Sequence, residues 1–360
     1  MIANAILYPH RLPSVRVERS RDTGRSACPS TSLGANGRWG WRASAAALFS
    51  LLLAVLSACG QGSDTHVLRV ANQKGSTRAM MEAAGVLKGA PYRIEWSEFP
   101  AAQPLMEAVG GGAADLGLAG DAPFIFAYQS GAAVKAVGAL ATAGNPSDAL
   151  GVIVRNSSPI HSVGDLVGKT VTTTRGSIGH HILLQALERA KIPADRVTVT
   201  FLSPADAKAA FDNGTVDAWA IWPPYISVAI KEGARTVVDA RDYELPVSFE
   251  VAHTAAIAPK AALMRDFLQR EAKALNRARA HPEAFAKVLA KETGLPLDIA
   301  RASFDRNNRV SVPIDAGIVE HERVVAKRFE TAGLIDAKRP VTEAFDTDVG
   351  KGLFRPLAAN

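Results

Sequence analysis

Four short stretches place small, polar or cationic residues where an alternating apolar run gives way to a helical pattern. They are Gln73-Lys74-Gly75-Ser76-Thr77, Ala119-Gly120-Asp121-Ala122-Pro123, Thr174-Arg175-Gly176-Ser177 leading to His180, and Ala218-Trp219-Ala220-Ile221-Trp222-Pro223-Pro224. A helix start carries unpaired N–H groups and a partial positive charge, so it attracts an anion. Glycine lets the backbone come close to such a guest. The plainer role of Ser76, Asp121 and Ser177 is helix capping, which suits the same positions. Three such ends in one chain shift the reading toward a small anion held by hydroxyls and amides. Lys74 offers opposite charge. The Asp121 carboxylate would repel an anion, and it suits a cap or a ligand ammonium instead.

His180 follows Ser177 by three residues and can face the same cleft, whereas packing is the plainer role for His181. The two adjoining histidines lack further ligands at workable spacing, so the sequence points to no metal site. Trp219 and Trp222 are three apart on a strand and face opposite ways, so one can line the cleft while the other packs inside. Phe99 and Phe249 are weaker wall candidates. Enzyme signatures are missing. The glycine of "RGSIG" stands one residue before Ser177, not two, so the spacing of a nucleophile elbow fails. Walker A, HExxH and a G-x-G-x-x-G at the first strand–helix turn are absent. A hydrolase using Ser177 and His180 stays open only as an alternative.

These stretches need strands and helices to position them, and the pattern supplies both. "VLRVAN", "YRIEWSEF", "ADLGLAG" and "VKAVGALAT" read as strands, with helices between them, the first running through "TRAMMEAAGVLKG" to Gly89. After "GNPSD" a second rhythm follows, with strands at "LGVIVRN", "KTVTTT", "VTVTFL", "DAWAIW" and "ARTVVDA". From about Ala261 the pattern turns helical. The alternation predicts α/β architecture with mostly parallel sheets covered by helices. Two such units followed by helices suit two lobes, with ligand at the carboxyl ends of the strands in the cleft between them.

Charge and cysteine usage narrow the setting. The formal charge is +6 over 360 residues, but the first 58 residues hold seven Arg against Glu18 and Asp22. The basicity belongs to a leader rather than to a nucleic-acid surface. Arg38 and Arg42 precede "ASAAALFSLLLAVLSA", of signal-peptide length and short for a membrane span. The run ends in "LSAC", which resembles the lipobox of bacterial lipoproteins and implies that Cys59 is acylated and becomes the mature N-terminus. Residues 1–37 are too long and irregular for a signal n-region and fit a misassigned start. Cleavage before Cys59 leaves no second cysteine, hence no disulfide and no cysteine metal site.

The motifs "ANQKGST", "WSEFPAAQPLMEAV", "ADLGLAGDAPFIFA", "KTVTTTRGSIGHHILLQAL", "LSPADAKAAFDNGTVDAWAIWPPY" and "PEAFAKVLAKETGLP" come in order over residues 66–345. Together they resemble the aliphatic sulfonate-binding proteins of bacterial ABC transporters, a group similar to the taurine-, nitrate- and thiamine-precursor-binding proteins. The resemblance implies a two-lobed periplasmic binding protein fold of type II with a helical C-terminal part. It also implies capture without chemistry, no cofactor, and delivery to a permease with its ATPase in the cell envelope. Carried over by motif, Gln73, Lys74, Gly75, Gly120, Asp121, Ala122, Gly176, Ser177 and His180 would meet the sulfonate, with Trp219 and Trp222 beside its tail. Relatives often have W-D-P where this chain has Trp222-Pro223-Pro224, and a Ser-rich turn at Ile178-Gly179. Both departures favour a bulkier or more apolar sulfonate, or a sulfate ester. The expected division is a leader over 1–58, a lipid-anchored tether over 59–66, lobe 1 over 67–147 and 246–345, lobe 2 over 148–245, and a tail over 346–360. A monomer that binds no nucleic acid is expected, held to the membrane by its lipid.

Overall fold

The computed structural model describes residues 66–144, 150–243, 247–306 and 308–355, which fall within one compact unit, Ser63–Asn360. The leader, Cys59 and most of the tether lie outside the described residues.

Two sheets organise this unit. The first contains β1 (Val67–Gln73), β2 (Arg93–Phe99), β3 (Leu116–Gly120), β4 (Val134–Thr142), β10 (Val247–His253) and β11 (Arg309–Val312), in the order β11-β4-β10-β3-β1-β2. The second contains β5 (Gly151–Val154), β6 (Thr170–Thr173), β7 (Thr198–Phe201), β8 (Ala218–Ile221) and β9 (Arg235–Asp239), in the order β7-β6-β8-β5-β9. Connecting helices are α1 (Thr77–Ala83), α2 (Ala102–Gly110), α3 (Asp121–Gln129), α4 (Ile178–Arg189), α5 (Pro204–Asp212) and α6 (Tyr225–Lys231). The C-terminal helices are α7 (Thr254–Ala280), α8 (Pro282–Thr293), α9 (Leu297–Arg306) and α10 (Ala316–Thr331).

The expected parallel majority is present and both sheets are mixed, because β10 and β11 in the first and β5 in the second run against the other strands. Strand β1 pairs in parallel with β2 and β3, but β10 runs antiparallel to both β3 and β4, and β11 antiparallel to β4. In the second sheet β5 is antiparallel to β8 and β9. The antiparallel strands β5 and β10 are the first that the chain forms after passing from one sheet to the other. Such a strand enters from the cleft side and so runs against its neighbours.

Helix α1 stops at Ala83 rather than Gly89. Gly85 and Gly89 take positive φ, 65° and 74°, and the Arg270 guanidinium of α7 donates to the carbonyls of Val86, Lys88 and Gly89. A distant side chain thus satisfies carbonyls that a longer helix would have paired internally. Strands β10 and β11 and the first turns of α7 also lie where the sequence pattern gave no element. Pro259 lies inside α7, and Lys260 departs from helical geometry there at φ −120°. That bend delivers the buried Lys260 ammonium to Asp115, 2.6 Å away, which also receives Arg69.

Side-chain packing joins the halves on one side. Leu184 of α4 belongs to the same buried cluster as Phe124 of α3 and Phe329 of α10.

Candidate ligand-binding cleft

The ends of β1, β3, β6 and β8 converge on one cavity of about 1040 Å³, at the upper end of the range for small-molecule sites. Gln73 through Thr77, Gly120 and Pro123, Thr174 through Ile178, and Trp222 through Tyr225 all line it. The four stretches singled out in the sequence therefore do meet.

Close packing explains two of the glycines. Gly176 has φ +64°, and a Cβ there would sit 2.8 Å from Cγ of Phe126 in the facing half. Gly75 has φ +75°, and its Cβ would fall 2.6 Å from Cγ2 of Thr293 on α8. At Gly120 the nearest atoms to an added Cβ would be 3.7 Å away, Ile178 Cδ1 among them.

Ser177 is the N-cap of α4, and its Oγ accepts the His180 N–H at 3.1 Å. Thr173 Oγ1 gives its proton to the Ala220 carbonyl at 2.9 Å, so in the 3.3 Å Thr173–Ser177 contact the Ser177 hydroxyl donates. That proton is committed inside the protein. The Ile178 and Gly179 amides make no hydrogen bond to described residues, as expected at a helix start. Nearby, the Arg175 guanidinium lies 4.1 Å over the Phe201 ring.

The structure places some expected ligand residues elsewhere. Asp121, Ala122, His180 and Trp219 do not line the cavity. Trp219 is fully buried against Phe211 and Tyr225, while Trp222 forms the wall, so the opposite-facing arrangement of the two holds. The His180 ring packs edge-on to Phe201 and Phe329, and its Nδ1 accepts the Gly176 N–H at 3.3 Å. Burial, together with the Arg175 and His181 charges, pulls its pKa down to about 3, so it is neutral. Asp121 turns away into a seam with His321, its Oδ1 accepting the Ala122 N–H at 2.6 Å. Phe249 is core, and Phe99 packs beside the same cluster.

Sequence reasoning missed the contribution of the C-terminal third. Glu271 and Arg279 of α7, Phe285 and Leu289 of α8, Arg306 of α9, and Arg309 at the start of β11 line the cavity. The carboxyl-end rule finds parallel strands, but an antiparallel strand brings its amino end to the cleft. Thus Arg309 pairs with Thr142 at the end of β4, and Ser248 with Gly120 at the end of β3. The signal was an arginine opening a short apolar run, "RVSV".

The cavity lining carries more cations than carboxyl groups. Lys74, Arg175, Arg279, Arg306 and Arg309 face only Glu107 and Glu271 as carboxyl groups. Glu271 is buried, which pushes it up to about 7, and Glu250 beside it is pushed well above the usual range by burial and by Glu271. A proton shared between them serves carboxyl oxygens that otherwise lack partners. Arg309 lies within their field: burial lowers its pKa, and Glu271, Glu250 and Asp121 oppose that. Phe126, Trp222, Tyr225, Phe285, Leu289 and Phe304 supply apolar lining.

Two mixed α/β halves, the first with strand order 2-1-3-n-4 extended by β11, around one cleft of strand ends define a substrate-binding protein of the periplasmic binding protein fold. Residues 99–285 match the family described as NMT1/THI5 like. The chain is 34% identical over 297 residues to an aliphatic sulfonates-binding protein of Escherichia coli (strain K12), covering 81% of this chain and 92% of the relative. The chain belongs to this NMT1/THI5-like family, as its motifs implied. The crystal structure of the periplasmic aliphatic sulphonate binding protein SsuA from Escherichia coli superposes with TM-score 0.71 at 32% identity, over 78% of this chain and 92% of that one. The alkanesulfonate-binding protein SsuA from Xanthomonas axonopodis pv. citri, bound to MOPS, gives TM-score 0.72 at 27% identity, over 78% and 98%. Among the described residues no helix is long and apolar enough to cross a membrane.

Proposed function

We propose that this protein captures an organosulfonate with a bulky apolar tail outside the cytoplasmic membrane and passes it, unaltered, to an ABC permease and its ATPase. The observation that carries this reading is a lining that combines a surplus of cationic side chains with several aromatic ones, around a volume of about 1040 Å³. A sulfonate cannot be neutralised by protonation near neutral pH, so it needs fixed cations and amides. Lys74, Arg175 and Arg309, with the open amide at Ile178, supply them. Trp222, Phe126 and Phe285 take the tail. The relatives' sulfonate-binding names and the MOPS complex support the same class.

Binding without catalysis is the reading that the Ser177 environment favours. The His180 ring bonds the Gly176 amide, and the Ser177 proton goes to Thr173, so no base activates that hydroxyl. The two lobes follow the sheets, 67–147 with 246–345 and 148–245, and ligand stabilises their closed arrangement by mass action. Acylation of Cys59 would hold a monomer at the membrane.

Calorimetric titration against taurine, alkanesulfonates, aryl sulfonates, sulfate esters, nitrate and sulfate tests this reading. Aryl or long-chain sulfonates should bind tightest, and Arg309→Gln should weaken them about tenfold or more. Tightest binding to nitrate or to a cationic pyrimidine rejects the sulfonate reading, and turnover of a sulfate ester that Ser177→Ala abolishes rejects the non-enzymatic one.

A further inference from the structure

Asp121, displaced from the cavity, joins a buried group that the ligand reading does not use. Among the described residues, Asp121, His321 and Glu322 each aim one ligand atom into a space where these atoms lie within 4.8 Å of one another. Asp121 and Glu322 are fully buried, and both carboxylate oxygens of Glu322 lack any hydrogen-bond partner. His321 Nε2 is 3.2 Å from Asp121 Oδ2.

We propose that Asp121, His321 and Glu322 form a binding site for one divalent transition-metal ion, of the Zn²⁺ or Mn²⁺ type. The donor set is one imidazole nitrogen and two carboxylates, which suits such ions. Metal–ligand bonds of about 2.1 Å place neighbouring donor atoms about 3.0–3.4 Å apart. The Asp121–His321 pair already has that separation, and Glu322 reaches it by a rotamer adjustment. Two carboxyl groups buried side by side are costly unless a cation or a proton neutralises them. The proton alternative still leaves Glu322 oxygens without partners, whereas a metal ion uses them.

A second layer supports the ligands. Arg328 only donates, so its 2.6 Å contact fixes His181 Nε2 as acceptor and leaves the Nδ1–H directed to Asp121 Oδ2, 3.9 Å away. Arg328 in turn holds Glu188 at 2.5 Å. The His321 side chain keeps 14% of its surface exposed, which provides a way in. Chain order hides this group, because Asp121 and His321 stand 200 residues apart. An ion here would tie α3 to α10 one residue from Gly120, which lines the cavity.

The test uses the full chain without a polyhistidine tag, stripped with chelator and then offered Zn²⁺ or Mn²⁺. One ion per chain should survive gel filtration by elemental analysis, and saturating metal should raise the melting temperature by about 5 °C. Glu322→Gln and, at the more exposed position, His321→Gln should each cut metal affinity at least about tenfold. Failure of the wild-type chain to retain metal overturns the proposal. So does uptake unchanged in both variants, which would point to other donors such as Cys28 and Cys59. Sulfonate binding is measured separately, so the loss of one property leaves the other readable.

Discussion

The turns after β3 and β6 look alike in sequence and behave differently in the structure. Each ends a strand, passes through glycine and a capping-type residue, and starts a helix. After β6, Ser177 stays at the cavity and caps α4. After β3, Asp121 leaves the cavity and enters the seam with α10. The glycines differ too: Gly176 has φ +64° and is pressed against Phe126, while Gly120 has φ −70° and room beside it. Local chemistry thus equips both turns for the same task, and the neighbouring helices decide which one performs it.

The sharpest way to break this comparison is a matched pair of substitutions. Gly176→Ala adds a methyl 2.8 Å from a ring atom at positive φ. It should cost about 2–3 kcal/mol in denaturant unfolding and weaken ligand binding at least about tenfold. Gly120→Ala should cost less than about 1 kcal/mol. Equal effects at the two sites would mean that the close inter-half contact at Gly176 does not constrain the protein.

A pH series sharpens the contrast at the β6 turn. His180 has its pKa pulled down to about 3 in the folded state, from 6.5. Below 6.5 the unfolded chain takes up a proton that the folded chain refuses, so stability is full above that value and falls as pH falls. The loss between pH 6.5 and about 5 should reach about 2 kcal/mol. His181, pulled down to about 4, acts in the same direction. Urea unfolding of His180→Phe should show a flatter slope across this range, and an unchanged slope would place the proton uptake elsewhere.

The smallest effect is the most diagnostic for the serine. Ser177→Ala removes the cap and should cost about 1 kcal/mol. Ligand affinity should move less than about threefold, since the hydroxyl proton is already given to Thr173. A larger loss of affinity would show that Ser177 reorients to donate to the ligand.

Much of the site was legible before any coordinates. Glycines and polar residues at strand ends follow from backbone geometry and helix-end charge, which act within a few residues, so all four stretches were found. Strand β10 was harder, because "VSFEVAH" carries Glu250 into the middle of a sheet. That residue is tolerated there only because Glu271 and Arg309, from α7 and β11, come alongside.

The sequence by itself determined the α/β rhythm, the family and the four strand-end stretches, because each rests on interactions between near neighbours in the chain. Only the tertiary structure decided that Asp121 and His180 turn inward while Arg306 and Arg309 reach the cavity. Side-chain direction at a helix start depends on what packs against it. For α3 and α4 that partner is α10, which follows them by well over a hundred residues. Chain order carries no record of such a contact until burial of apolar surface brings the helices together.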